Sequence, residues 1–386
     1  FVYSKFLEEK INTNLKYERK KLNELVDIFS GSRQKGGSLS SGIPSIGGAQ
    51  IGKNGNILND KMVYISEEHF NSMKKGKLKI GDVLIVKDGA TTGKMGFYKG
   101  EFLKAAINEH IFALRVKENY SNHLLYYLLR SEEFQKKLKP YIQGIIGGIN
   151  LKFSDIEIPF PSLEIQNQIV EELNGYQKII DGCRQVIENY KPSIEIDPGW
   201  EMVELGKISN KITDGTHKTP KYISDGVPFF RVTDITKSDG SKKFISKEEH
   251  KELIKRCNPE KGDILYSKNG TIGISQIIDW DYEFSIFVSL CLIKPNKEKV
   301  LPEYLGEILN TTYVYNQAKN FTKTGTVSNL HLIEIKKLKI PLPNLETQKL
   351  IFDEIKNQKK MVNSNLELKQ FFENKINNLM NFLWTN

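Results

Sequence analysis

The sequence predicts an α+β molecule made of two copies of a mixed α/β domain, each followed by a long helix. Three observations carry that prediction. "IPFPSLEIQNQIVEEL" (158–173) is answered by "IPLPNLETQKLIFDEI" (340–355), identical at eight of sixteen positions and 182 residues further on. Other matches run collinearly with this one along the chain. Finally, a heptad seam follows each copy of the motif.

The collinear matches fix the duplication. "NELVDI" (23–28) pairs with "VELGKI" (203–208), "GIPSIGGAQI" (42–51) with "GVPFFRVTDI" (226–235), and "KIGDVLIVKDGATTG" (79–93) with "EKGDILYSKNGTIG" (260–273). "HLLYYLLRS" (123–131) lies opposite "EYLGEILNT" (303–311). A period this long excludes a solenoid and means two copies of a whole domain. Within each copy "GDVLIV", "FALRV", "GDILYS" and "SLCLIKP" are short apolar runs between turn residues, hence strands. Helical patches are expected at 121–138 and 302–318. Gly-rich turns such as "KDGATTGKMG" and "KNGTIG" punctuate the strands.

Each long helix starts after a Pro-x-Pro step that bars upstream extension, with Ser162 and Asn344 as N-caps. The first seam is Ile169, Leu173, Tyr176, Ile180, Cys183, Ile187 and Tyr190. The second is Ile351, Ile355, Gln358, Val362, Asn365, Leu368 and Phe372, continuing near Ile376, Leu379 and Leu383. Seams facing each other would employ both, so Ile169, Leu173, Tyr176, Ile180, Ile187, Ile351, Ile355, Val362, Leu368 and Phe372 are the expected pairing residues. The expected partition is 1–19 extension, 20–161 first domain, 162–190 first helix, 191–199 linker, 200–343 second domain and 344–386 second helix.

The 386 residues, 39% apolar and 27% charged, suit a multidomain globular chain. No apolar run reaches the roughly 18 to 20 residues of a membrane span. Three unpaired cysteines argue for a reducing cytoplasm and against a disulfide framework, and six histidines without metal spacing argue against a structural metal. A net charge of +9 favours a polyanionic partner. Catalytic motifs are missing: there is no Asp/Asn-Pro-Pro-Tyr-type motif, and "GATTGKMG" fails the phosphate-loop pattern because Met95 follows Lys94. The recurrent Gly-Asp pairs (Asp82, Asp263) read as turn residues rather than nuclease carboxylates.

Polar and basic loops recur at matched places, and their side chains are those that read base edges or hold phosphates. The first pair offers Arg33, Gln34 and Lys35 against Thr216, His217, Lys218 and Thr219. The second offers Gln50 and Lys53 against Arg231 and Thr233. The third offers Lys87, Thr91, Thr92 and Lys94 against Lys268, Asn269 and Thr271. The fourth, just before the long helices, offers Asn150 against Lys323, Thr324 and Asn329.

This arrangement resembles the DNA sequence-specificity (S) subunit of type I restriction-modification systems. The likeness rests on the twin Pro-x-Pro junctions, "GDIL…KNGTIG", "DGTHKTPKY…DGVPFFRVTDI" and the closing "FFENKINNLMNFL", and it covers the chain from about Lys20. It implies two target-recognition domains, each reading one half of a bipartite site in double-stranded DNA. It also implies that the long helices are antiparallel, separate those domains and bind two methyltransferase (modification) subunits. Such a subunit is not itself an enzyme and holds no cofactor: S-adenosylmethionine and ATP belong to the modification subunits and the motor-nuclease restriction subunits. A helix from Leu163 to Tyr190 would be about 42 Å long, close to one turn of duplex. Two alternatives stay open, the C-terminal recognition part of a single-chain restriction enzyme-methyltransferase and a coiled-coil scaffold without DNA binding.

Overall fold

A computed structural model describes residues 16–144, 147–190, 193–236, 241–322 and 329–385. The chain falls into two compact units, Phe1–Ile187 with Asn365–Asn386, and Glu188–Ser364.

The first unit contains β1 (Glu18–Lys21), β2 (Val26–Ser30), β3 (Ile43–Ile46), β4 (Val63–Ile65), β5 (Val83–Val86), β6 (Met95–Phe97), β7 (Ala106–Ile107), β8 (Ile111–Val116), β9 (Ile142–Gln143), β10 (Gly148–Ile149) and β11 (Glu157–Phe160). An antiparallel sheet runs β2-β8-β5-β6 and a smaller one runs β4-β3-β7, with β3 parallel to β7. β1 closes on β11. The second unit contains β12 (Glu201–Glu204), β13 (Ser209–Asp214), β14 (Val227–Phe230), β15 (Phe244–Ile245), β16 (Ile264–Ser267), β17 (Ser275–Ile277), β18 (Ser285–Ile286), β19 (Leu290–Pro295) and β20 (Lys339–Leu342). It repeats the plan as β13-β19-β16-β17, β15-β14-β18 and β12-β20. The duplication seen in the sequence is therefore a duplication of topology.

Register makes the equivalence residue by residue. Val86 faces Ile111 in one unit as Ser267 faces Leu290 in the other, so Lys87 matches Lys268 and His110 matches Ser289. Ile46 faces Ile107 as Phe230 faces Ile286, so Gly47 matches Arg231 and Gln50 matches Asp234. The Gly-Asp turns are structural, as their residue types imply. The Asp82 carboxylate accepts from Lys79 N at 2.8 Å and pairs with Arg115 at 2.6 Å. Asp263 accepts from Glu260 N at 2.9 Å and pairs with Lys294 at 2.7 Å.

The repeated Pro-x-Pro motif is a joint. Its glutamine is fully buried in both copies and ties the start of the long helix to the loop ahead of an earlier helix of the domain, Asn122–Arg130 in the first unit and Pro302–Leu309 in the second. Gln166 Oε1 accepts from Ser121 N at 2.7 Å, and its amide donates to Pro161 O at 2.9 Å and Asn119 O at 3.2 Å. Gln348 accepts from Leu301 N at 2.8 Å and donates to Pro343 O at 2.8 Å and Lys299 O at 3.2 Å. Tyr120 and Tyr304 hydroxyls donate to Pro159 O and Pro341 O, at 2.9 and 2.8 Å. The expected caps are present: Ile165 N lies 3.5 Å from Ser162 Oγ, and Thr347 N donates to Asn344 Oδ1 at 2.8 Å.

The first long helix spans Leu163–Asn189 and the second Leu345–Thr385. Residues of the second helix beyond 364 belong to the first unit, where they pack on the first helix. The pairing there is antiparallel: the Tyr176 ring meets Phe372 at 5.2 Å, and Glu172, one turn earlier, lies beside Lys375, one turn later. Ile169, Leu173, Leu379, Met380, Leu383 and Trp384 join one core with the helix Asn122–Arg130. Ile180 and Cys183 are buried as well, whereas Tyr176, Ile187 and Phe372 are half-buried. Leu368 departs from the expected seam, standing 44% exposed. In the second unit Ile355 is buried, Val362 is half-buried, and Ile351 packs on the core of its own domain. A seam residue near a helix start thus serves its domain first.

Candidate nucleic-acid interface

Antiparallel pairing brings the paired loops to one end of each four-stranded sheet. β2 and β5 end where β8 and β6 begin, and β13 and β16 end where β19 and β17 begin. Lys87 N donates to His110 O at 2.9 Å, and Lys87 O accepts from Ile149 N at 2.6 Å. Lys268 repeats both bonds, to Ser289 O at 3.0 Å and from Leu330 N at 2.9 Å. The third loop set and the loop before the long helix are therefore stitched together in both units. Glycine permits the closest approach: a Cβ on Gly31 would lie 1.7 Å from Ile107 O, and one on Gly215 2.0 Å from Ile286 O.

At this end of the first unit Arg33, Lys35, Thr91 and Asn150 are exposed, and Gln34, Lys87, Thr92 and Lys94 are half-buried. Gln34 is partly committed, its Oε1 accepting from Ser66 N at 2.7 Å. At the same end of the second unit His217, Lys218, Thr219, Thr233 and Thr271 are exposed, and Thr216, Arg231, Asn269 and Asn329 are half-buried. Lys323 and Thr324 lie outside the described residues.

Three expected contact residues are either committed inside the fold or set away from this end. Gln50 is 4% exposed, and its Oε1 accepts from Gly47 N at 3.0 Å while its Nε2 donates to Lys61 O at 2.8 Å. It does the work of its counterpart Asp234, which accepts from Arg231 N at 2.7 Å. Buried, and bonded inside the fold at each amide end, Gln50 serves the turn rather than presenting an open edge to a base. Lys268 is buried, with its ammonium 3.3 Å from the buried carboxylate of Asp214, which also binds Arg256. In the first unit Ser30 stands at the position of Asp214, and the ammonium of the matching Lys87 lies over the Phe112 ring at 5.3 Å. Lys53 is exposed, but its loop is tied by Phe97 N to Gly55 O at 2.9 Å and by Tyr126 to Asn54 O at 2.8 Å, away from the loop end.

The structure also adds residues that the sequence pattern does not single out. A cleft of about 260 Å³ in the first unit is lined by Ser32, Arg33, Gln34, Asn108, Glu109 and His110, among others. Arg33 Nε lies 3.9 Å from Glu109, Glu109 lies 3.5 Å from His110 Nε2, and His110 Nδ1 bonds Asp88. An acidic turn is adverse to a polyanion when considered alone. The available signal was the mismatch in the repeat, Asn108-Glu109-His110 against Phe287-Val288-Ser289. The three cysteines are free and buried. Among the described residues no His, Cys, Asp or Glu group is arranged to hold a metal. No helix among them is long and apolar enough to cross a membrane.

A duplicated scaffold with different side chains at its matched loop tips suits recognition, and comparison with known proteins names the class. Residues 14–189 and 198–376 each match the type I restriction modification DNA specificity domain, and the chain belongs to that family. It is a type I specificity subunit, a DNA-sequence-recognising and non-catalytic component. It is 25% identical over 364 residues to a chain of Haemophilus influenzae named as a type I restriction enzyme specificity subunit, covering 88% of this chain and 87% of that one. A chain of Methanocaldococcus jannaschii named as the MjaX specificity subunit is 27% identical over 369 residues, covering 84% and 82%. The crystal structure of the S subunit from M. genitalium shares the fold with a TM-score of 0.54 at 13% identity, covering 97% of each chain.

Proposed function

We propose that each unit reads one half of a bipartite site in double-stranded DNA through the loops gathered at one end of its four-stranded sheet. The carrying observation is the residue-by-residue match of the two scaffolds combined with a change of side chains at the loop tips: Gly47 against Arg231, Glu109 against Val288, and His110 against Ser289. Equal scaffolds place equal loops, and unequal tips give unequal base preferences. Arg33, Lys35, Lys87 and Lys94 in the first unit, with His217, Lys218 and Arg231 in the second, supply phosphate and base contacts.

The long helices act as the spacer between half-sites and as the docking surface for two methyltransferase subunits, with motor-nuclease restriction subunits joining the assembly. Support for docking comes from an apolar cleft of about 830 Å³ in the first unit, lined by Val170, Tyr176, Ile179, Phe371 and Phe372. Ile179 and Phe371 are 37% and 53% exposed there, so the cleft offers a partner adjoining apolar side chains. The methyl donor and ATP are held by the partners, and the complex works in the cytoplasm.

Methylation mapping of a genome modified by the assembled complex tests this reading. The expected result is one motif with two defined parts and an undefined gap of fixed length. A single contiguous motif would overturn the two-module assignment.

A further inference from the structure

The proposed two-half-site reading leaves open which residue decides a base, and the turn between β7 and β8 answers it for the first unit. Asn108, Glu109 and His110 form that turn, closed by His110 N donating to Asn108 Oδ1 at 3.0 Å. Its position is fixed from both sides, by Asn108 N donating to Ile46 O at 3.1 Å and His110 O accepting from Lys87 N at 2.9 Å. The matched turn, Phe287 to Ser289, is fixed by the same two bonds, to Phe230 O at 2.9 Å and from Lys268 N at 3.0 Å. Both turns therefore present their middle residue, Glu109 or Val288, from the same place on the scaffold.

Glu109 stands in a face supplied with Arg33, Lys35 and Lys87, where the neighbouring carboxylate of Asp88 is already taken up by His110. A carboxylate set towards duplex DNA meets phosphate repulsion unless it lies at a base edge that donates to it. The major-groove donors are the exocyclic amines, N4 of cytosine and N6 of adenine. The surroundings of Glu109 suit such a contact, because Arg33 Nε at 3.9 Å and His110 Nε2 at 3.5 Å both approach one oxygen, Oε1, beyond ordinary hydrogen-bond length. The carboxylate thus keeps acceptor capacity, with the Arg33 guanidinium nearby to hold the charge. The side chain lines the cleft beside Ser32 and Gln34 and is 31% exposed. Val288, in the same place, offers only methyl groups, which suit a thymine methyl or no reading at all.

We infer that Glu109 is a specificity-determining residue of the first unit, accepting a hydrogen bond from the exocyclic amine of a cytosine or adenine in that unit's half-site. This inference rests on the two-half-site reading, and one experiment separates the two. The complex is assembled with the full chain carrying Glu109, Glu109→Gln or Glu109→Ala, and the methylated motif is mapped for each. The expected outcome is that both variants relax one position of one half-site, with discrimination there falling on the order of tenfold. The other half-site and the gap should stay unchanged. A bipartite wild-type motif with identical variant motifs would overturn the role of Glu109 while leaving the reading intact. Relaxation in both half-sites would overturn it too. For a variant that methylates nothing, binding of its complex to duplexes substituted one base pair at a time decides. Lost preference at one position supports the inference, and a uniform loss across all positions overturns it. A wild-type motif that is not bipartite would sink the underlying reading instead.

Discussion

At the residue scale the fold turns on a few side chains whose value lies in having every bond made. Gln166 and Gln348 are the clearest, each a buried amide that holds three backbone groups at a domain-to-helix joint. Gln166→Ala should lower stability by about 2–4 kcal/mol, since it strands the buried groups that the amide had satisfied. Denaturant unfolding measures the loss, and faster hydrogen exchange at Ser121 N would locate it. The repeat advertised this glutamine in the sequence, although its meaning was hidden. A residue repeated for packing and one repeated for chemistry look alike until their partners are seen. Gln50 and Lys268 show the converse. Their types suited base reading, but long-range partners, Lys61 O and Asp214, enclosed them, and no local pattern announces such partners.

At the element scale, strands, turns and both long helices were legible because period and punctuation are local properties. "GDVLIV" and "FALRV" fall in β5 and β8, and the Pro-x-Pro steps end β11 and β20 just ahead of the helices. What the heptads did not disclose is which neighbour each seam residue would meet. Ile351 packs on its own domain and Leu368 stays exposed, since a helix that leaves its domain changes neighbours along its length. The paired helices also contain a testable charge. Burial pushes the Glu172 carboxyl above its usual range, opposed by the Tyr176 hydroxyl that donates to it and by nearby Lys375. With a folded pKa above the unfolded one, the folded state holds the proton more tightly. Ionisation of Glu172 therefore costs stability as pH rises from the ordinary carboxyl range through the folded pKa. Glu172→Gln, which keeps an acceptor for Tyr176, should raise the melting temperature more at pH 7 than at pH 4. An equal gain at both values would show that Glu172 carries no such penalty.

At the scale of the whole molecule, two modules predict separable effects. Arg231→Ala should relax only the half-site read by the second unit, costing about 1–3 kcal/mol of discrimination if the guanidinium reads a base. Motif mapping would reveal the altered half, and a change in the other half would contradict the modular scheme. Lys218→Ala should instead weaken binding evenly across sequences and flatten its salt dependence, as loss of a phosphate contact does.

The membership of the last helical turns in the first unit has a consequence in time. Leu379, Met380, Leu383 and Trp384 complete a core whose other members lie before residue 174, and the Trp384 indole donates to Ser131 Oγ at 2.8 Å. A ribosome adding about 5–20 residues per second delivers those side chains roughly 10 to 40 s after the first long helix has emerged. Through that interval the first unit waits with an apolar stripe uncovered. Until those residues arrive, that surface is open to chaperones. Burial of the first core is thereby tied to residues that follow the whole second domain.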